Sequence, residues 1–324
     1  MHSLDIIGLG ALSIDNIHAV EGLSSESGYR IKSSTISASG SAINTVYALN
    51  KLGMKCSAIG VTGNDKTGLN MTDELTEAGI DTAHIRHLDR SATDFSMTFC
   101  RSNKKPVHFM CRSAGKKWRI SDDVSSKLGA ASMVYVSGLT DKTQLGATIR
   151  AIEHSKSKFE LSLSISDYES TMGLQCYEPL IRRAEIIFTS KYAIERLTGK
   201  NYRDSVEILR KVGAKTVVIF LCCGEAHKKI KKKGMAAAVT TYICNNEYEC
   251  LIESAIRKWP NIVENTGAQD AFGHLKFMPI DRCGFLGDIM AQFCLKQSGA
   301  RNSIPDANEL AFRYFQIHHE EISL

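Results

Sequence analysis

Between positions 264 and 272 the chain reads Glu264-Asn265-Thr266-Gly267-Ala268-Gln269-Asp270-Ala271-Phe272. This order of residue types predicts the start of a helix, capped by Asn265 or Thr266 and opened by small residues. The first turn of a helix carries backbone N–H groups with no internal partner, and their partial positive charge attracts anions, phosphate above all. Small side chains at 267 and 268 let a phosphate approach the backbone. Asp270 belongs to the same first turn. A carboxylate repels a phosphate and would not stand there merely to bind one. One that takes a proton from an attacking hydroxyl would belong there. An ordinary capped helix with an acidic first turn carries the same residue types, so the stretch by itself leaves both readings open.

Other positions are weaker candidates. Gly8-x-Gly10-x-x-Ser13 has the outline of a dinucleotide-binding turn, but the third glycine is missing and Asp15-Asn16 does not open a helix. Asp15 lies just past the end of an apolar run, where α/β folds place ligand groups; a turn aspartate bonded to its own backbone reads the same way. The run His227-Lys228-Lys229-Ile230-Lys231-Lys232-Lys233 has no interleaved aromatic and reads as a solvated loop rather than a nucleic-acid surface. The ten cysteines form no Cys-x-x-Cys pair and no zinc-spaced cluster, so free thiols in a reducing cytoplasm are expected, with no metal site made by side chains. No signal peptide and no apolar stretch long enough to span a membrane is seen.

These residues need a scaffold. The chain has 324 residues, 43% hydrophobic, enough for one large core. Strands are expected at 4–9, 56–61, 132–137, 159–165, 185–189 and 215–221. Helices are expected at 42–52, 68–78, 141–154, 174–183, 191–198, 203–212, 286–295 and 306–318, several closed by a glycine such as Gly53, Gly79, Gly199 or Gly213. Such alternation implies an α/β architecture with a mostly parallel sheet flanked by helices on both faces. Residues 17–38, 93–100 and 107–111 read as short strands of a small separate sheet, and 235–243 and 248–252 as weak strands. His318-His319 reads as an exposed tail.

Taken in order, four stretches resemble the ribokinase-like carbohydrate and nucleoside kinases, the PfkB family. They are Asp15; Ser39-Gly40-Ser41-Ala42-Ile43-Asn44; Gly60-x-x-Gly63-x-Asp65-x-x-Gly68; and Thr266-Gly267-Ala268-Gln269-Asp270-Ala271-Phe272. Leu197-Thr198-Gly199 and Gly299-Ala300-Arg301 are lesser matches. The resemblance implies a single doubly wound α/β domain over 1–324, with a small β-sheet lid from segments 12–38 and 91–118. It implies ATP with Mg²⁺ as donor and a sugar or nucleoside as acceptor. Asp15 and Asn44 would hydrogen-bond the acceptor's hydroxyls, with Gly40 allowing close approach. Asp270 would be the base, and the amides of Gly267, Ala268, Gln269 and Asp270 the anion hole. The exposed edges of a small lid sheet suit a homodimer.

The departures from the family's pattern fall mostly on the donor side. Gln269 stands where the family usually has glycine. The family's Asn-x-x-Glu pair, which organises Mg²⁺ and its waters, falls on Ser190 and Ala193, with Lys191 between them as a charge that could meet phosphate directly. The glycine-bearing strand end near the nucleotide reads Leu221-Cys222-Cys223-Gly224, and the helix after Asp270 is short of about eight residues by comparison with the family pattern. Thr266, Lys191, Cys222 and Gly224 are therefore the candidate donor contacts, with Mg²⁺ held mainly through the phosphates. A working but divergent kinase is the expectation; a catalytically impaired binder of sugars or nucleosides is the alternative.

Overall fold

The computed structural model describes residues 2–21, 30–101, 106–120, 122–139, 141–155, 158–221, 240–253, 280–294, 299 and 301–324. The 264–272 stretch, Cys222, Gly224 and the basic run at 227–233 lie outside the described residues.

The described elements follow in chain order. First come β1 (Leu4–Gly10), β2 (Ser13–Val20), β3 (Ile31–Ser39), α1 (Ser41–Lys51), β4 (Cys56–Gly63), α2 (Lys66–Glu77) and β5 (Asp81–Leu88). Next are β6 (Asp94–Arg101), β7 (Val107–Cys111), α3 (Ala114–Lys117), α4 (Asp122–Leu128), β8 (Ala131–Ser137), α5 (Lys142–His154) and β9 (Glu160–Ile165). After a 3-10 turn at Glu169–Met172 come α6 (Leu174–Arg183), β10 (Ala184–Ser190), α7 (Lys191–Thr198), α8 (Tyr202–Val212) and β11 (Thr216–Phe220). The last are β12 (Thr240–Cys244), β13 (Glu249–Glu253), α9 (Ile280–Cys294) and α10 (Ala307–His318).

Among the described residues, nine strands form one sheet in the order β13-β12-β11-β10-β9-β8-β1-β4-β5. From β11 across to β5 all pairings are parallel, and β12 and β13 add an antiparallel edge. Strands buried on both faces read as continuous apolar runs, and β4 is buried at all eight positions. Successive residues of the central strands serve opposite layers. Ile7, Leu9, Val134, Val136, Ile187 and Ile219 pack with α5, α6, α7 and α8 side chains such as Leu145, Ile181, Ile194 and Leu209. Ile6, Met133, Tyr135, Phe188 and Phe220 face the other way, onto Ile43, Val46 and Leu49 of α1 and Met71 and Leu75 of α2. This period of two inside every strand makes a three-layer sandwich.

The chain winds from β1 to β4 and β5 on one side, then returns to β8 on the other side of β1 and proceeds outward through β9, β10 and β11. The direction of winding therefore reverses between β1 and β8. In open α/β sheets the crevice outside the strand C-termini at such a reversal is where ligands bind.

A second sheet has the order β3-β2-β6-β7, all four strands lying in the two segments expected to form the lid. Its two faces differ. Asp15, Ser37 and Ser96 are register neighbours on one face; Ile36, Asn16, Met97 and Phe109 form a cross-strand row on the other. Ile36, Met97 and Phe109 are exposed.

The structure departs from the sequence reading in several places, among them the short helices α3 and α4, which were not expected. β5 was not expected, because as an edge strand it buries only Ile85 and shows no apolar run. Helix α9 begins at Ile280 rather than near 286. Gly284 hides this first stretch from a periodicity reading, and it is there because a Cβ would press on Ile252 and Ile243 of the sheet at 2.7 and 2.9 Å. His318 is no free tail; its ring packs against Phe285 and Tyr314, each 4.5 Å away between centroids.

Candidate active site

The acceptor-side candidates come together at the C-terminal end of β1. Asp15 sits on β2, just beyond that end, and its Oδ1 accepts a 2.6 Å hydrogen bond from Ser96 Oγ on β6. Gly40 links β3 to α1 with φ +121°, a conformation that side chains rarely adopt, and a Cβ there would collide with the Ala11 carbonyl oxygen. Glycine at 40 thus lets the root of the small sheet lie directly on the turn between β1 and β2. One turn into α1, Asn44 is buried, and its Nδ2 donates to Ser39 Oγ at 3.4 Å.

A residue 257 positions away completes this corner. Arg301, in the turn before α10, donates from Nε to Asn44 Oδ1 at 3.1 Å and from Nη1 to Glu74 Oε1 on α2 at 3.3 Å. Its guanidinium carbon lies 5.3 Å from the centre of the Tyr47 ring. Burial pushes the guanidinium pKa down from its usual value, opposed by the charges of Glu74, Tyr47 and Asp15. Sequence reasoning noted Arg301 only as part of a lesser motif; nothing local to it announces a contact with Asn44.

The Gly60-x-x-Gly63-x-Asp65-x-x-Gly68 motif turns out to hold the root of the small sheet. Asp65 caps α2 by accepting from Gly68 N at 2.8 Å, and also accepts from Thr93 N and Thr93 Oγ1, both at 2.7 Å. Thr93 Oγ1 in turn accepts from Gly63 N at 3.2 Å. Residue 68 must be glycine because a Cβ would press on Gly63 O, Thr62 Oγ1 and Thr93 Oγ1 at once. Burial pulls the Asp65 carboxyl up, but the hydrogen bonds from Thr93, Gly68 and Thr67 outweigh it and hold it below the usual carboxylate range. The neighbouring Asp94, buried at the start of β6, accepts from Ser113 N at 2.7 Å and Gly115 N at 3.0 Å.

At the positions expected on the donor side, Ser190 ends β10 and caps α7, its Oγ accepting from Ala193 N at 2.9 Å while bonding to the exposed Asp167 carboxylate just past the end of β9. Ala193 is fully buried. Lys191 opens α7, and its Nζ lies 5.4 Å from the centre of the Tyr202 ring. Between the two sides stands Glu169, which was not anticipated. It is buried, and its carboxylate accepts from Leu139 N at 2.8 Å and Ser166 N at 3.0 Å, joining the segments that leave β8 and β9. Burial pushes its carboxyl up, against those hydrogen bonds. Among the described residues no group of three or more His, Cys, Asp and Glu is placed to hold a metal ion, and no helix is long and apolar enough to cross a membrane.

The arrangement resembles known proteins. The model of the pfkB family carbohydrate kinases matches residues 3–222, ending before the 264–272 stretch. An uncharacterized sugar kinase from Archaeoglobus fulgidus is 24% identical over 270 residues, 79% of this chain and 98% of that one. The Arabidopsis thaliana ribokinase structure, complexed with ribose and ATP, superposes with a TM-score of 0.73 over 95% of this chain and 97% of that one, at 18% identity. The Burkholderia thailandensis nucleoside kinase structure, in complex with inosine, gives 0.77 over 98% and 99%, at 15% identity. The fold is that of ribokinase, a large mostly parallel sheet with helices and a small second sheet, and the chain belongs to the pfkB family of carbohydrate kinases.

Proposed function

We propose that this protein transfers the γ-phosphoryl group of ATP to a hydroxyl of a sugar or nucleoside. The observation that carries this reading is the convergence of Asp15 of β2, Gly40 of the link from β3 to α1, and Asn44 of α1 at the strand end where the sheet reverses its winding. A carboxylate acceptor and an amide beside a close-approaching backbone can grip a polyol. The ribose and inosine bound by the two structural relatives agree with that chemistry. The small sheet, with its polar face carrying Asp15 and Ser37, would cover the acceptor as a lid.

In the reaction the acceptor's hydroxyl oxygen forms a bond to the γ-phosphorus, its proton passes to the Asp270 carboxylate, and the bond from phosphorus to the β–γ bridging oxygen breaks to release ADP. The amides of Gly267, Ala268, Gln269 and Asp270 would hold the charge on the migrating group. Thr266, Cys222, Gly224 and Lys191 remain the proposed donor contacts. Mg²⁺ would enter with the triphosphate and be held chiefly through its oxygens. The paired Asp167 carboxylate and Ser190 hydroxyl are hard oxygen groups of the kind that suit its water shell. The exposed row of Ile36, Met97 and Phe109 would receive a second copy of the chain. A cytoplasmic location fits the free cysteines among the described residues.

The test is ATP consumption coupled to a panel of pentoses, hexoses and nucleosides, with wild type and Asp270→Asn. Loss of a general base lowers turnover by about 10²–10⁴ while acceptor affinity is retained. Equal turnover of the two proteins removes Asp270 from the mechanism. Acceptor binding with no turnover in wild type would make the chain a binder rather than a kinase.

A further inference from the structure

The turn from 299 to 303 contains more unsatisfied polar atoms than a structural turn needs. Arg301 Nη2 and Ser303 Oγ are buried with no hydrogen-bond partner among the described residues, and so is Ser37 Oγ on the lid strand β3. Ser37 adjoins this turn, its Cβ lying 3.2 Å from where a Gly299 Cβ would be, and it is the register partner of Asp15. The Arg301 side chain is 3% exposed, whereas its ion-pair partner Glu74 is 46% exposed. A buried guanidinium opposed by a carboxylate that water screens is a poor stabiliser. An apolar side chain would fill the same space without leaving a donor unpaired.

What Arg301 does accomplish is to choose the orientation of an amide. An asparagine side chain can present either its oxygen or its nitrogen to a site. With Nε of Arg301 donating to Asn44 Oδ1, the oxygen edge is committed to the guanidinium and the Nδ2 edge faces the side of Ser39, at the root of the lid. We propose that Arg301 is the positioning residue of the acceptor site: it locks the Asn44 amide with Nδ2 as the donor edge, so that one acceptor hydroxyl is met by a donor at Asn44 and its neighbour by an acceptor at Asp15. The charge of Arg301 is already opposed by Glu74 and Asp15, so the acceptor class this corner suits is a neutral polyol, a sugar or the ribose of a nucleoside, rather than a sugar acid or sugar phosphate. The inference rests on the kinase reading for the identity of the site, and adds the residue that sets its hydrogen-bond polarity.

The experiment measures acceptor binding without nucleotide, by titration calorimetry and thermal shift, using the neutral sugar or nucleoside that wild type binds best, alongside steady-state KM values for acceptor and ATP. Arg301→Met is expected to raise the acceptor Kd and KM about tenfold or more, as loss of one oriented polar contact does, with the ATP KM within about twofold and the melting temperature not lowered. Asn44→Asp is the second variant. Its carboxylate still accepts from Arg301 but no longer donates, so the same loss of acceptor affinity is expected in a protein that keeps the buried pair. Unchanged acceptor affinity in Asn44→Asp overturns the proposal, also where Arg301→Met does not fold. So does Arg301→Met that leaves binding untouched, or that raises both KM values together with a fall in melting temperature, the mark of a merely structural residue. Tighter binding of a sugar acid than of its neutral counterpart overturns the assigned class. A folded wild type that binds no member of the panel refutes the kinase reading itself, an outcome that no Arg301 variant mimics.

Discussion

Replacing Asp65 by alanine tests whether the glycine-aspartate motif after β4 is a clamp. One carboxylate serves three donors: Gly68 N at 2.8 Å, and Thr93 N and Oγ1 at 2.7 Å each. Losing an N-cap costs about 1 kcal/mol. Leaving the Thr93 N–H without its partner adds about 1–3 kcal/mol. The contributions share one side chain and are not strictly additive, so about 3 kcal/mol is expected in all. With a urea slope of about 3 kcal/mol/M, the unfolding midpoint should fall by about 1 M. Asp65→Asn keeps one oxygen for the cap but turns a donor toward Thr93, and should lose about half as much. The pH dependence has a definite sign. The folded carboxyl lies below its ordinary value, so its contribution is present above about pH 4 and is lost as pH falls through the folded pKa. The midpoint difference between wild type and Asp65→Ala should be flat from about pH 5 to 8 and shrink below about 4. A midpoint unchanged in Asp65→Ala, or a gap that widens in acid, would refute the clamp.

Other outcomes follow from the same geometry. Gly40→Ala should cost about 3 kcal/mol or more in urea unfolding, because strain at positive φ is compounded by collision with Ala11 O; Gly53→Ala, at φ +92° with open space around it, should show the strain alone, about 1–2 kcal/mol. Equal costs would mean that the turn yields to the side chain. Burial pushes the Cys56 thiol up to about 12, so with a thiol reagent at pH 8 the native protein should label quickly at the exposed Cys111 and at Cys56 only on unfolding. Comparable labelling rates at the two sites in native buffer would contradict the buried β4 environment. Light scattering should give twice the chain mass for wild type and the chain mass for Phe109→Asp, since a charge in the exposed apolar row opposes its burial; a monomeric wild type removes the lid face as a dimer surface.

Much of the scaffold was open to a reading of the chain alone. Runs such as Leu4–Gly10 and Cys56–Gly63 are apolar because both faces of a parallel sheet are covered, and helices such as α6 and α7 repeat at the helical period with glycine or a strand at their ends. Those signals are local, and local residue types suffice to set them. β5 escaped because an edge strand buries one side chain and needs no pattern. The start of helix α9 was missed because its glycine answers to sheet residues well back in the chain, Ile252 and Ile243.

The proposed acceptor site divides along the same line. Asp15 could be named from its place after a strand, and Gly40 and Asn44 from the family motif that they complete before a helix. That Asp65 would serve Thr93, and that the amide of Asn44 would be turned by Arg301 across 257 positions, could not be. A hydrogen bond between side chains far apart in sequence leaves no periodicity behind; it exists only once β1, α1, α2 and the C-terminal turn have been packed at one corner of the sheet. Residue types along the chain therefore determined which segments become buried strands and amphipathic helices and which polar groups stand at their ends, while tertiary packing alone decided the order of the strands and which atoms of those polar groups meet.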